Sequence, residues 1–63
     1  METLTATQRP NGMFKVAYDG TILGDDRAFE TEELCNQEIR KRLAKDARDA
    51  ITYDRPLLYT AEL

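Results

Sequence analysis

From Glu30 to Ile51 the chain reads ETEELCNQEIRKRLAKDARDAI, and its apolar residues recur at the spacing of an amphipathic helix. At about 100° per residue, Ile39, Leu43, Ala47, Ala50 and Ile51 share one face and Lys41, Lys45 and Arg48 lie opposite. Thr31 is placed to cap the first turn. Glu32 and Glu33 sit where the positive end of the helix dipole favours carboxylates, and basic residues become frequent from Arg40 onward. Glu38–Arg42, Arg42–Asp46 and Lys45–Asp49 have the four-residue spacing at which opposite charges stabilise a helix by roughly 0.2 to 0.5 kcal/mol per pair. Leu43 is expected at the centre of the contact between this helix and a sheet.

Upstream the pattern changes to period two. Thr3 to Gln8 alternates, and Arg9-Pro10-Asn11-Gly12 follows, with Pro10 suited to the first central position of a turn and Gly12 to a left-handed closing position. A three-residue loop flanked by Arg9 and Met13 sets Gln8 opposite Phe14, Ala6 opposite Val16 and Leu4 opposite Tyr18. Asp19-Gly20 is a two-residue hairpin signal that sets Tyr18 opposite Thr21, Ala17 opposite Ile22 and Val16 opposite Leu23. Both turns put Leu4, Ala6, Phe14, Val16, Tyr18 and Leu23 on one face, and that agreement predicts a three-stranded meander. Thr3, Thr5, Thr7, Lys15, Ala17 and Ile22 form the other, mostly polar face, expected to be solvated. Gly24 to Phe29 reads as a bulge or turn, with Phe29 folding back beneath the helix start.

After the helix, Asp54-Arg55-Pro56 interrupts regular structure, because Pro56 drives Arg55 toward an extended conformation. Alternation then resumes, with Leu57, Tyr59, Ala61 and Leu63 on one side and Leu58, Thr60 and Glu62 on the other. This is either a fourth strand of the same sheet or an extended arm lent to a second copy or a partner. The expected fold is α+β in the order β-β-β-α-β: a three-stranded antiparallel meander packed on one long helix, with a C-terminal strand or arm. The 63 residues make one small domain, 1–63, with 54–63 as an exchangeable or partner-binding arm.

Composition narrows the chemistry. The chain has no histidine and no serine, and Cys35 is its only cysteine, so Ser/His/Asp and Cys/His arrangements, the usual zinc patterns and an internal disulfide are ruled out. Cys35 lies near the edge of the apolar helix face and is expected to be a packing thiol. Asp19, Asp25 and Asp26 are better explained by turns and exposure than by a metal or acid–base role, and no phosphate loop is present. No catalytic residue, metal or cofactor is therefore expected, and the chain is not read as an enzyme. METLTATQR lacks the apolar segment of a signal peptide and no run approaches a membrane span, which gives the expectation of a cytoplasmic protein.

A net charge of −3 argues against indiscriminate nucleic-acid binding. Even so, Arg40, Lys41, Arg42, Lys45 and Arg48 crowd into less than three helical turns, with Glu38, Asp46 and Asp49 expected to interrupt their field. Three strands leading through Phe29, Thr31, Glu32 and Glu33 into a helix resemble the small arm-type DNA-binding domains at the front of tyrosine recombinases, over residues 11 to 45. That resemblance implies a sheet presented to a major groove, for which this sheet offers only Arg9, Asn11 and Lys15.

Two functions compete. The first is a non-catalytic protein-interaction or regulatory accessory module, of the kind a mobile element uses to occupy a host factor. It would self-associate or bind a protein through Leu57, Tyr59, Ala61 and Leu63. The second is a DNA-binding regulatory protein using Arg9, Lys15, Lys41, Lys45 and Arg48.

Overall fold

The computed structural model describes residues 1–63. Strands β1 (Glu2–Gln8), β2 (Phe14–Tyr18) and β3 (Thr21–Ile22) are followed by helix α1 (Glu32–Thr52) and strand β4 (Tyr59–Ala61). The fold is the expected α+β arrangement: one helix on a four-stranded sheet of order β3-β2-β1-β4. No helix is long and apolar enough to cross a membrane.

Both turns hold the expected register. Leu4 opposes Tyr18, Ala6 opposes Val16, and Gln8 opposes Phe14. Between β1 and β2 the Arg9 N–H donates to the Met13 carbonyl at 2.7 Å, and Gly12 takes φ +85 to close the loop. Between β2 and β3, Asp19 (φ 50) and Gly20 (φ 85) both lie in the left-handed region, as a hairpin turn matched to strand twist requires. Asp19 also prolongs the ladder: its carboxylate accepts the Thr3 N–H at 2.8 Å while its own N–H donates to the Thr3 carbonyl at 3.0 Å.

The register departs from expectation after Ile22. Val16 and Leu23 do not pair. The chain leaves the sheet at Leu23, which is exposed, and returns at Phe29, whose N–H and C=O each bond Phe14 at 2.8 Å. The turn chemistry of Gly24-Asp25-Asp26 takes effect one residue earlier than the alternation suggested, and the larger Phe29 fills the core position instead. The excursion is pinned by Lys15, whose Nζ donates to the Gly24 carbonyl at 3.2 Å.

Thr31 caps α1 as expected, its hydroxyl accepting the Leu34 N–H at 3.2 Å. The buried face of the helix is rotated from the expected one. Leu4, Val16, Phe29, Cys35 and Ile39 make the core, with Leu43 only half-buried at its margin. Cys35 lies at the centre of the face, while Ala47 is exposed and Ile51 is 84% exposed. Length accounts for Ile51, since 21 helical residues span about 31 Å against about 23 Å for a strand of seven and the last turn of α1 overhangs the sheet. Ala47 lies outside because its neighbour Asp46 is turned inward onto β4. Ala17, expected on a solvated face, is shielded there between neighbouring strands and is buried.

The C-terminal segment joins its own sheet. β4 runs parallel to β1, with Glu2 beside Tyr59, Thr3 beside Thr60 and Leu4 beside Ala61. The Tyr59 ring meets Tyr18 edge-on at 5.9 Å over the start of β1.

Candidate interaction surface

The side chain that organises the C-terminal strand is Asp46. It stands two turns beyond Ile39 on the inward face of α1 and is 4% exposed. Its Oδ2 accepts the Leu58 N–H at 2.9 Å and the Tyr59 N–H at 3.1 Å, while Oδ1 accepts Arg55 Nη1 at 2.9 Å. The local chain is shaped for this contact. Asp54, just beyond the Tyr53 cap, adopts φ 50, and the Arg55 N–H returns to the Ala50 carbonyl at 3.0 Å, a Schellman closure that folds Arg55 back onto the helix. Arg55 Nη1 also donates to the Pro56 carbonyl at 2.9 Å. Burial pushes the Asp46 pKa up. The Arg55 hydrogen bond, the Tyr59 and Leu58 N–H groups and the Arg55 charge outweigh it and hold the carboxyl below its ordinary value.

A second set of ion pairs runs alongside. Arg42, rather than reaching Asp46, donates to Asp26 through both Nη atoms at 3.3 and 3.4 Å and to Glu38 through Nε at 3.3 Å. It also lies 5.5 Å from the Tyr18 ring centroid. Lys45 donates to Asp49 at 2.8 Å, and that bond is the main reason the Asp49 carboxyl is also held below its ordinary value. These pairs sort the helix charges. Glu38, Asp46 and Asp49 are buried or half-buried, while Arg40, Lys41, Lys45 and Arg48 are exposed. Glu38 and Asp46 are turned toward Arg42 and Arg55, but Asp49 binds Lys45 and exposed Glu33 lies 3.8 Å from Arg40, so acids still interrupt the outer field.

Of the partner-binding candidates, Tyr59 and Ala61 pack against the core of their own chain, whereas Leu57 (45%) and Leu63 (55%) remain exposed. The nucleic-acid candidates are dispersed. Arg9 is exposed on the β1–β2 loop, and Lys15 is opposite Thr7 on the sheet face away from the helix. Lys41, Lys45 and Arg48 line the outside of α1. A cleft of about 330 Å³ is lined by Tyr18, Arg42, Lys45, Asp46, Asp49, Arg55, Leu58 and Tyr59, and its charged groups are already engaged with one another.

Asp46 and Arg55 went unassigned by the sequence reading, though a signal was there: an acid falls inside the apolar stripe one helical face from Ile39 and Leu43, followed by an arginine just past the helix end. Five of the eight exposed large apolar side chains fall in the last 13 residues. Ile51, Tyr53, Leu57, Leu58 and Leu63 are all exposed, from the helix overhang to the end of the sheet. Comparison with protein-family models, curated proteins and solved structures finds no match for this chain.

Proposed function

We propose that the chain is a non-catalytic protein-interaction module, a regulatory accessory that docks through β4 and the segment leading into it. The observation that carries this reading is the number of exposed apolar side chains, Ile51, Tyr53, Leu57, Leu58 and Leu63, in the last 13 residues, the stretch that contains the edge strand β4. Apolar groups next to open strand backbone supply both anchors and hydrogen bonds for a partner. Tyr59 and Ala61 serve as the inner side of this surface, fixing the strand against Leu4, while Leu57 and Leu63 are its outer contacts. The test is association, with itself or with captured protein, by the full chain and by a Leu57→Asp/Leu63→Asp variant. Both positions are exposed, so the variant should stay folded and lose association, and equal association by the two proteins would remove the reading.

A second reading, contact with nucleic acid, is favoured by one observation: Lys41 and Arg48 lie exposed on the outer face of α1 without an ion pair, whereas Arg40 is paired with Glu33 at 3.8 Å and Lys45 with Asp49 at 2.8 Å. Replacing Lys41, Lys45 and Arg48 together by alanine tests it. Duplex DNA affinity at about 0.15 M salt that is lost in this variant, with a flattened salt dependence, would place the function on the helix.

A further inference from the structure

We infer that the corner of the sheet where the starts of β1, β3 and β4 meet the end of β2 binds an organic ammonium group, seated against the rings of Tyr18 and Tyr59 and balanced by the carboxylates of Glu2 and Asp19. The site goes beyond the interaction reading above and uses neither Leu57 nor Leu63. It follows from how α1 crosses the sheet. Asp46 ties the second half of the helix to β4, and α1 does not reach β3. By alternation Glu2 shares the helix-side face with Leu4, and Thr21 shares it with its partner Tyr18, so this corner faces the helix layer with no helix above it. A second cleft, of about 470 Å³, opens there and is lined by Glu2, Tyr18, Asp19, Thr21, Leu23 and Tyr59. Its volume lies in the range of small-ligand sites, about 300 to 1,000 Å³.

The lining selects the ligand. No basic side chain lines this cleft, and neither Glu2 nor Asp19 takes part in an ion pair. In the first cleft, by contrast, Asp46 is matched by Arg55 and Asp49 by Lys45. Asp19 uses one oxygen to accept the Thr3 N–H at 2.8 Å, which fixes its carboxylate at the rim and leaves Oδ2 for a ligand. The Tyr18 and Tyr59 rings stand at 63° to each other with centroids 5.9 Å apart, two walls of an open corner whose π systems attract a cation. Tyr18 already holds one on its other side. Arg42 lies 5.5 Å from its centroid, lines the first cleft and not the second, and is neutralised there by Asp26 and Glu38.

Leu23, apolar yet 47% exposed, completes the wall and gives cover to alkyl groups on the nitrogen. A hard metal ion needs more oxygen ligands than two carboxylates beside aromatic rings supply, and an anion is repelled. An alkylated ammonium, whether a small free quaternary ammonium or a methylated lysine side chain, matches both the rings and the charge. The site is open, so its dissociation constant should be about a millimolar.

The test is an NMR titration of the full chain with tetramethylammonium chloride at constant ionic strength, with tert-butanol as a neutral probe of the same shape. The salt should shift the Tyr18, Asp19, Thr21 and Tyr59 amides, and tert-butanol should not. Glu2→Gln/Asp19→Asn removes both charges while keeping the Thr3 acceptor and a residue that tolerates the left-handed turn, and should weaken binding at least about fivefold. Tyr59→Leu should also lose binding and Tyr59→Phe retain it, with unshifted Ala6 and Val16 amides showing that each variant keeps its fold. N-acetyl-trimethyllysine amide identifies the source: tighter binding than tetramethylammonium assigns the site to a peptide side chain, equal binding to a small free cation. No shift up to ~50 mM salt, equal shifts with tert-butanol, or unchanged affinity in Glu2→Gln/Asp19→Asn overturns the site. That failure leaves the reading through Leu57 and Leu63 where it stood, and Leu57→Asp/Leu63→Asp should bind ammonium as the parent chain does.

Discussion

Asp46 in the middle of α1 accepts the backbone N–H of Tyr59 in β4 at 3.1 Å, so a helix side chain takes the place of a neighbouring strand at one point of the sheet edge. β4 has only three residues of parallel pairing with β1, too few to be secure on ladder bonds alone. The carboxylate supplies what the short ladder lacks. It accepts two successive N–H groups, and Arg55 balances its charge where water is largely excluded.

Asp46→Ala is accordingly expected to release β4 while leaving the β1–β2 hairpin in place, since it leaves the Arg55 charge and two N–H groups without their acceptor. Asp46→Asn keeps one acceptor oxygen and should weaken the strand less. Amide hydrogen exchange checks this: the Glu2 and Thr60 amides should lose protection while Ala6 and Val16 keep theirs. Unchanged protection at Glu2 in the alanine variant would show that β4 does not depend on the carboxylate.

The same contact sets the acid limit. Asp46 and Asp49 both titrate below the ordinary aspartate value of 3.8 in the folded chain. A depressed folded pKa contributes stability that is fully present above the unfolded pKa and lost as pH falls through the folded one. Unfolding measured from ~pH 7 down to ~pH 2 should therefore show a flat region and then a fall that begins near pH 4. In Asp46→Asn the fall should be shallower and retain only the Asp49 share. A slope as steep as that of the parent chain would exclude Asp46 as its source.

Much of this fold is legible in the residues. Asp19-Gly20 and Pro10-Asn11-Gly12 determine β-register because each admits few backbone conformations, and Thr31 marks the helix start because its hydroxyl has one local task. The helix face was harder. Periodicity puts Ala47 and Ile51 inside, since it records which side is apolar but neither how far the sheet extends beneath Ile51 nor that a buried acid, Asp46, takes the inward position beside Ala47. Four-residue spacing to Arg42 accounts for Asp46 locally as a helix-surface charge, whereas its partners in the fold, Arg55, Leu58 and Tyr59, are brought to it only by the chain reversal at Asp54. Leu57 to Leu63 alternates in the same way whether it pairs within its chain or between chains, so alternation alone left that choice open.

Burial ranks three substitutions along one helix. Ile39 is fully buried among Leu4, Val16, Phe29 and Cys35, so Ile39→Ala should cost about 2 to 4 kcal/mol through lost transfer energy and a cavity, a large share of the stability of so small a domain. Leu43→Ala, at the margin, should cost about 1 kcal/mol, and Ile51→Ala should lie within about 0.5 kcal/mol of the parent. Urea unfolding gives the order directly, and a loss at Leu43 equal to that at Ile39 would move the centre of the helix contact back toward Leu43.

Cys35 reports on global opening. Its thiol is fully buried, and burial, followed by the charges of Glu32, Glu38 and Asp26, raises its pKa above 9.0, so the reactive thiolate is scarce near neutral pH. A thiol reagent should modify the native chain no faster than the core opens, and modification should accelerate in Ile39→Ala but not in Ile51→Ala. Rapid labelling of the native parent, independent of denaturant, would contradict this packing.

One position is open to improvement. Asp54 follows the helix cap with φ 50, a left-handed conformation that costs an L-residue energy and that helices usually assign to glycine. Its side chain is exposed, and it places a negative charge at the negative end of the helix dipole, where α1 has no basic residue in its last turn. Glycine would remove both penalties at the cost of a more flexible unfolded chain, leaving Asp54→Gly more stable by about 0.5 to 1 kcal/mol. Asp54→Asn separates the two contributions, since asparagine tolerates the same backbone but carries no charge. If the asparagine variant gains as much as the glycine variant, the dipole dominates. If only glycine gains, backbone conformation does. A glycine variant that melts below the parent would mean that the Schellman closure, and with it the path of Arg55 to Asp46, depends on the Asp54 side chain itself.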